Sequence, residues 1–359
     1  MTTQITRPMH ILFLLSAGRG DGKNERIINP PTQSVINQIE SMGHKVTVAF
    51  AQDLAPKETN GKITDVIHHP SKGGKKSLKD YKFNGVFSYF TADSKKLLVV
   101  QDFLESQGVV ATTTSSSYHE FKGKINKTIR LDEAGVPVPA YFVNEPKTTP
   151  TLDEVTKKLS KLGEPPYVVK ANFGSRSSSV FVVANAQQAL EKITAFSDQG
   201  SVVQEFIPPP GVKKSDCVPG PNSEKPPTMD GKTVQYYRVL MIGNQLHSVL
   251  LRKGTQDLKT GADDKTQEVT FPPMSEVPPS VLVAARKAHN ATGLIINGVD
   301  IVVDPKGQGR VLEVNAAPGF TLQFQAGLDP TPALADAIIR HVRNARYIRH
   351  VPDQELQPA

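Results

Sequence analysis

Residues Gly293 to Thr321 read GLIINGVDIVVDPKGQGRVLEVNAAPGFT, and the meaning of the whole chain turns on them. Two apolar, β-branched runs, Gly298 to Val303 and Arg310 to Val314, flank Asp304-Pro305-Lys306-Gly307, whose proline and glycine suit a tight turn. In a hairpin, Glu313 and Asn315 share one face of their strand because side chains alternate with period two. The turn can also return Glu313 towards Asp300. Two carboxylates and an amide oxygen form a hard, oxygen-only ligand set, suited to Mg²⁺ that shares its coordination sphere with substrate phosphates. A surface hairpin with outward acids would give a similar pattern. Against it, acids in such apolar strands need a cation or a polar partner, and the Asn315-Ala-Ala-Pro-Gly319 turn that follows would fix the amide.

Outward from the hairpin, 359 residues can bury a large core and divide into roughly two or three domains. A hydrophobic content of 38% and a charged content of 21% are those of an ordinary globular protein. The formal net charge of +7 favours anionic ligands such as nucleotides. The clearest basic run, Lys72 to Lys82, has Tyr81 as its only interleaved aromatic and reads as a solvated loop, which argues against nucleic-acid binding. Cys217 is the only cysteine, so neither an intramolecular disulfide nor a thiolate metal cluster is available. The apolar run Ile11 to Leu15 is too short to span a membrane and lacks a signal-cleavage pattern, so a cytoplasmic protein is expected.

Along the chain, Met9 to Leu15 reads as a buried parallel strand. Pro31 to Gly43 follows as a helix with Val35, Ile36, Ile39 and Met42 inward, and Lys45 to Phe50 as a second strand. The loop Gly18-x-Gly20-x-Gly22 lacks the third glycine of a dinucleotide fingerprint and reads better as a substrate-contacting or flexible loop. Asn84 to Tyr89, a helix from Ala92 to Gln107 and Val109 to Ala111 complete an open α/β unit. Helices follow at Lys124 to Ala134 and Pro150 to Lys161. Strands at Tyr167 to Lys170 and Val180 to Ala184 flank a Ser-rich loop, and beyond a helix at Ala186 to Phe196 lies the strand Ser201 to Ile207. Such a loop can fold over phosphates with its N–H groups and hydroxyls inward, and Lys170 at its edge can reach the same anion. Residues 208–232 and the stretch Lys253 to Glu268 read as polar loops. Between them Val234 to Ile242 and Leu246 to Arg252 form a hairpin with Gly243-Asn244 in its turn. Val281 to Thr292 and Pro332 to Arg343 are the last helices, before a tail from Val351.

With Lys124, Lys170, the Ser loop, Gln204-Glu-Phe-Ile207 and Asp300/Glu313/Asn315 in this order, the chain resembles the ATP-grasp superfamily, both RimK-like amino-acid ligases and D-alanine:D-alanine ligases. The resemblance implies an α/β, ATP-grasp (α+β) fold: an N-terminal open parallel α/β domain, residues 1–115, followed by two α+β lobes that clamp ATP. These are a lid lobe, 116–205, and a C-terminal lobe, 206–347, with 348–359 as a tail. It implies that Lys124 and Lys170 bind phosphate, that Ser177, Ser178 and Ser179 close over it, and that Gln204, Glu205, Phe206 and Ile207 border the adenine. It further implies that Arg238 and Arg252 lie near the acyl phosphate or substrate carboxylate, and that Asp300, Glu313 and Asn315 hold two Mg²⁺ ions, with Mn²⁺ as a substitute.

The implied activity is amide or peptide bond formation between a small-molecule carboxylate and an amine, through an acyl phosphate, releasing ADP and phosphate. The implied partners are ATP and these small substrates, with no membrane and no nucleic acid; a homodimer is compatible. Two alternatives stand beside it: a nucleotide-binding regulatory protein of the same fold, as synapsin-like members are, and a D-alanine:D-alanine ligase proper. The second is disfavoured because Gly298 stands where those enzymes carry arginine, and Gln323-Phe324 where they carry His-Ser. Phe320, Leu322 and Phe324 read either as an apolar acceptor pocket or as core.

Overall fold

The computed structural model describes residues 7–16, 28–71, 73–89, 95–121, 123–174, 179–208, 211–217, 234–254 and 267–350. The first unit opens with β1 (His10–Leu15), a run so apolar that it can only be buried on both faces. Helix α1 (Pro30–Ser41) returns the chain to β2 (Lys45–Phe50), parallel to β1, with His10 opposite Lys45. Asn29 caps α1 by accepting from the Thr32 N–H, and proline fills its first turn. Val35, Ile36 and Ile39 pack inward as expected, whereas Met42 sits beyond the helix, 37% exposed.

The chain then leaves the parallel sheet for an antiparallel meander, β3 (Leu54–Thr59), β4 (Lys62–His68) and β5 (Lys76–Ser77), which the sequence reading does not anticipate. The basic run at 72–82 is therefore not simply a solvated loop. Part of it pairs with β4, Leu78 is buried, and Tyr81 stacks on Phe83 with ring centroids 5.1 Å apart. Strand β6 (Gly85–Tyr89), helix α2 (Lys95–Ser106) and strand β7 (Val110–Ala111) complete a parallel sheet in the order β2-β1-β6-β7.

After α3 (Ser115–Glu120) and α4 (Lys124–Glu133), a second sheet forms from β8 (Tyr141–Asn144), β9 (Tyr167–Ala171), β10 (Val180–Val183) and β11 (Ser201–Glu205), in the order β10-β9-β11-β8. Helices α5 (Leu152–Leu159) and α6 (Ala186–Ala195) cover it, and Thr151 with Glu154 forms a capping box at the start of α5. A third sheet, in the order β14-β13-β12-β15-β16, is built from β12 (Val234–Ile242), β13 (Gln245–Gly254), β14 (Gln267–Thr270), β15 (Ile296–Val303) and β16 (Gly309–Asn315). Helix α7 (Pro279–Thr292) packs on one face of it against Tyr237, Val239, Val299 and Ile301. The opposite face carries the polar residues described below.

Helix α8 (Thr321–Gln325) leads into α9 (Thr331–His350), which runs further than its apolar pattern suggests and returns to the first unit. Leu334, Ala335, Ile338, Ile339 and Val342 join one buried cluster with Ile11, Phe13, Val35 and Ile39 from the N-terminus and Leu240 and Ile296 from the third sheet. Phe320 belongs to this cluster and Phe324 packs against it, so both are core and not the walls of an acceptor pocket. The α9 face also explains Gly85, where a Cβ would lie 2.4 Å from a Val342 methyl. No helix among the described residues is long and apolar enough to cross a membrane. Ile338, at 0% exposure, ties the two ends of the chain together. Ile338→Ala should cost about 2–5 kcal/mol of stability, by analogy with other large-to-small core changes. A thermal unfolding midpoint equal to that of the parent protein would contradict this packing.

Candidate active site

The polar face of the third sheet follows from its register. Arg238 on β12 lies opposite Asp300 on β15, and Asp300 lies opposite Glu313 on β16, so the three form one row across the sheet. Tyr236 and Arg252 are a cross-strand pair on the same face, two residues along β12 from Arg238. Asn315 stands opposite Gly298, at the end of β16.

The row is tightly bonded. Arg238 donates from Nε to Asp300 Oδ1 at 2.6 Å and from Nη2 to Oδ2 at 2.7 Å, a bidentate fork, and Asn315 Nδ2 donates to Oδ2 at 3.2 Å. The Asp300 carboxylate, itself desolvated, raises the Arg238 pKa well above the ordinary arginine value. The buried Arg252 guanidinium lies 5.8 Å from the Tyr236 ring centroid. Burial, followed by the nearby Asp300 charge, raises the Tyr236 hydroxyl pKa.

Two lysines reach the row from the second sheet and α4. Lys170, at the end of β9, donates from Nζ to the Leu312 carbonyl at 3.3 Å, beside Glu313. Lys124, in the first turn of α4, donates to the Gly174 carbonyl at 3.1 Å. A third lysine was not singled out from the sequence. Lys127, one turn after Lys124, places its ammonium 3.9 Å from Glu313 Oε1. Its signal was the i,i+3 spacing from Lys124, which puts both on one helix face.

Among the remaining expected residues, Gln204 is buried in β11, and Glu205 Oε1 accepts from the Ala140 N–H at 2.9 Å, which ties the end of β11 to the start of β8. Phe206 packs against Val212 and Cys217, and Ile207 follows it half-exposed. Ser179 Oγ is buried with no hydrogen-bond partner among the described residues. Ser177, Ser178 and the loop glycines 18, 20 and 22 lie outside the described residues. The expected acceptor positions behave as structural ones: Gln323 is buried, and a Cβ on Gly298 would lie 3.1 Å from Pro318 Cβ, so the Pro-Gly turn uses the space a side chain would need.

Five cationic side chains, Lys124, Lys127, Lys170, Arg238 and Arg252, therefore share this region with two carboxylates, Asp300 and Glu313. Such an excess of positive charge suits a polyanion. Among the described residues no group of three His, Cys, Asp or Glu side chains could hold a metal alone. The facing Asp300 and Glu313 carboxylates suit Mg²⁺, which takes one or two carboxylates and completes its shell with water and phosphate oxygens.

Comparisons with known proteins bear on the fold that carries this geometry. No family model matches the chain. A protein of Xanthomonas euvesicatoria pv. vesicatoria (strain 85-10) named "Probable alpha-L-glutamate ligase" is 27% identical over 246 residues, 67% of this chain and 71% of that relative. The RimK domain ATP-grasp protein of Sphaerobacter thermophilus DSM 20745 superposes with a TM-score of 0.57 at 17% identity, covering 91% of this chain and 99% of that one. The D-alanine–D-alanine ligase of Bacillus anthracis, solved with ATP, gives a TM-score of 0.59 at 16% identity, covering 96% and 100%. The chain shares the fold of these ATP-grasp proteins. A third neighbour, the ATP-grasp ligase PsnB bound to a minimal precursor, Mg and ADP, gives a TM-score of 0.60 at 16% identity, covering 92% and 97%.

The clearest electrostatic consequence of this arrangement falls on Lys170. The side chain keeps some accessible surface but is densely surrounded, and burial lowers its pKa to about 8, with Glu313 opposing the shift and Lys124 reinforcing it. The penalty for charging it is fully present below that pH. Between it and the ordinary lysine value the unfolded chain binds more protons, so stability rises with pH across this window. An arriving polyphosphate favours the charged form and raises the pKa again. ATP binding at about pH 8.5 should therefore take up a fraction of a proton, seen as buffer-dependent heats in calorimetry, and Lys170→Met should reduce the uptake. Identical heats in buffers of different ionisation enthalpy would contradict it.

Proposed function

We propose that this face, with the lid formed by β9, β10 and their loop, joins a substrate carboxylate to an amine at the expense of ATP. The observation that carries the assignment is the Arg238–Asp300–Glu313 row, approached by Lys124, Lys127 and Lys170 from another sheet and helix. In this reading Lys124 and Lys170 bind the phosphates, Ser177 to Ser179 close over them, and Gln204 to Ile207 border the adenine. Asp300, Glu313 and Asn315 hold Mg²⁺, as two ions with Mn²⁺ able to substitute. When bound, Mg²⁺ neutralises charge on the phosphates during γ-phosphoryl transfer.

The chain's own groups do the rest. The lysines hold the triphosphate so that a carboxylate oxygen of the substrate meets the γ-phosphorus in line, forming an acyl phosphate and releasing ADP. The amine then attacks the acyl carbon and phosphate leaves. Arg252 and Arg238 face the developing oxyanion, Arg238 being held in register by Asp300. The lid excludes water, which would hydrolyse the acyl phosphate.

Residues 1–115, 116–205 and 206–347 are proposed as the three functional units, each built around one of the larger sheets. An α-amino acid or peptide end is the proposed substrate class, and the curated relatives' name makes L-glutamate the first candidate. D-Alanine as acceptor is disfavoured by Gly298, whose space Pro318 takes, and by buried Gln323 and core-packed Phe324. A cytoplasmic ligase with ready access to ATP is the setting we propose.

Two outcomes are expected. Phosphate release from ATP should require an added amino acid or carboxylate, and ATP binding without stimulation by any such pool would favour the nucleotide-binding alternative. Asp300→Ala and Glu313→Ala should each lower turnover by at least about a hundredfold while leaving the far-UV circular dichroism unchanged. Full activity in both variants would remove them from the site.

A further inference from the structure

The chain just after β9 is anchored in a way that none of the expected site residues explains. Helix α4, which carries Lys124, begins after Gly123, and Gly123 offers no side-chain cap. The first N–H groups of a helix have no partner within it and must find one elsewhere. Here both come from Asn172, far along the chain on the first residue after β9. The Lys124 N–H donates to the Asn172 carbonyl at 2.9 Å, and the Ile125 N–H donates to Asn172 Oδ1 at 3.1 Å.

Asn172 is itself held from the other side. Its N–H donates to the Gly200 carbonyl at 3.0 Å, and the next N–H, of Phe173, donates to Gln199 Oε1 at 2.8 Å. The local glycines make the approach sterically possible. A Cβ on Gly123, at φ +85°, would lie 2.4 Å from Asn172 Oδ1, and one on Gly200, at φ +77°, would lie 2.7 Å from the Asn144 carbonyl. Two residues before Asn172 on the same strand stands Lys170, and two residues after it the Gly174 carbonyl accepts from Lys124 Nζ at 3.1 Å.

From this arrangement we infer that Asn172 is a positioning residue for nucleotide binding, which sets the spacing between the Lys124 and Lys170 ammonium groups by capping α4 from the stem of the lid. The inference rests on the reading of the two lysines as phosphate ligands. Asn172 does not touch the nucleotide in this account; it acts through Lys124. Strand β9 and helix α4 belong to separate elements, and Asn172 supplies two of the hydrogen bonds that join them. A polyphosphate gains from both lysines at once only while their separation is fixed, so slack in the joint weakens binding without removing either charge.

The experiment is a double-mutant cycle on ATP affinity, measured by calorimetry with Mg²⁺ present for the full-length protein, Asn172→Ala, Lys124→Ala and the double variant, each with its melting temperature recorded. The inference expects Asn172→Ala to weaken ATP binding roughly tenfold in the parent background and by less than about twofold in the Lys124→Ala background. Unchanged affinity in Asn172→Ala, or equal losses in both backgrounds, overturns it while leaving the lysine assignment intact. An Lys124→Ala variant that binds ATP as the parent does overturns the lysine assignment itself, and the inference with it. Should Asn172→Ala fail to fold, Asn172→Ser, whose hydroxyl is too short to reach Ile125, runs the same cycle with the same expected outcomes.

Discussion

The bidentate pair between Arg238 and Asp300 is the interaction around which the polar face of the third sheet is arranged. A charge placed this deep needs a geometrically matched partner, because leaving either member alone costs several kcal/mol. The antiparallel register of β12, β15 and β16 supplies that match and adds Glu313 in the same row. The pair also fixes the Asp300 carboxylate, with Asn315 adding a further hydrogen bond. The surrounding lysines are less completely compensated, and this imbalance is what the proposed binding of a polyanion rests on.

Much of the architecture was legible because its signals are local. The continuous apolar run of β1 announces a parallel strand buried on both faces, and the Thr151-x-x-Glu154 box marks the start of α5. The hairpin of β15 and β16 was readable from alternation and its Pro-Gly turn. The meander of β3 to β5 was not: its strands are rich in Lys, Glu and Asp, half of its side chains face water, and no apolar alternation marks them. The division of labour in the aromatic stretch after Gly319 was equally hidden. Phe320 and Phe324 read as a pocket or as core until α9 is seen to carry the third sheet's neighbours back onto the N-terminal strands.

The same distinction runs through the site. Asp300, Glu313, Asn315, Lys124 and Lys170 belong to motifs with recognisable neighbours, so resemblance could single them out from the sequence, and the structure brings them to one region. Lys127 looks like any surface lysine in sequence and joins the site only because α4 turns it towards Glu313. Asn172 has no local signature at all, since the helix it caps begins almost fifty residues earlier. Long-range caps of this kind are invisible to periodicity and spacing, yet they decide how two lobes present their charges to one ligand. Substrate choice is less legible still: Gly298, whose side-chain space Pro318 takes, and buried Gln323 weigh against one proposed acceptor arrangement without defining another.

The central claim is chemical, that a carboxylate oxygen attacks the γ-phosphorus before the amine arrives. It is tested most directly by supplying the stimulating carboxylic acid with its carboxyl oxygens labelled with ¹⁸O and analysing the released inorganic phosphate by mass spectrometry. Passage through an acyl phosphate predicts one labelled oxygen in each phosphate released in step with the amide product. Unlabelled phosphate accompanying amide formation would contradict the account.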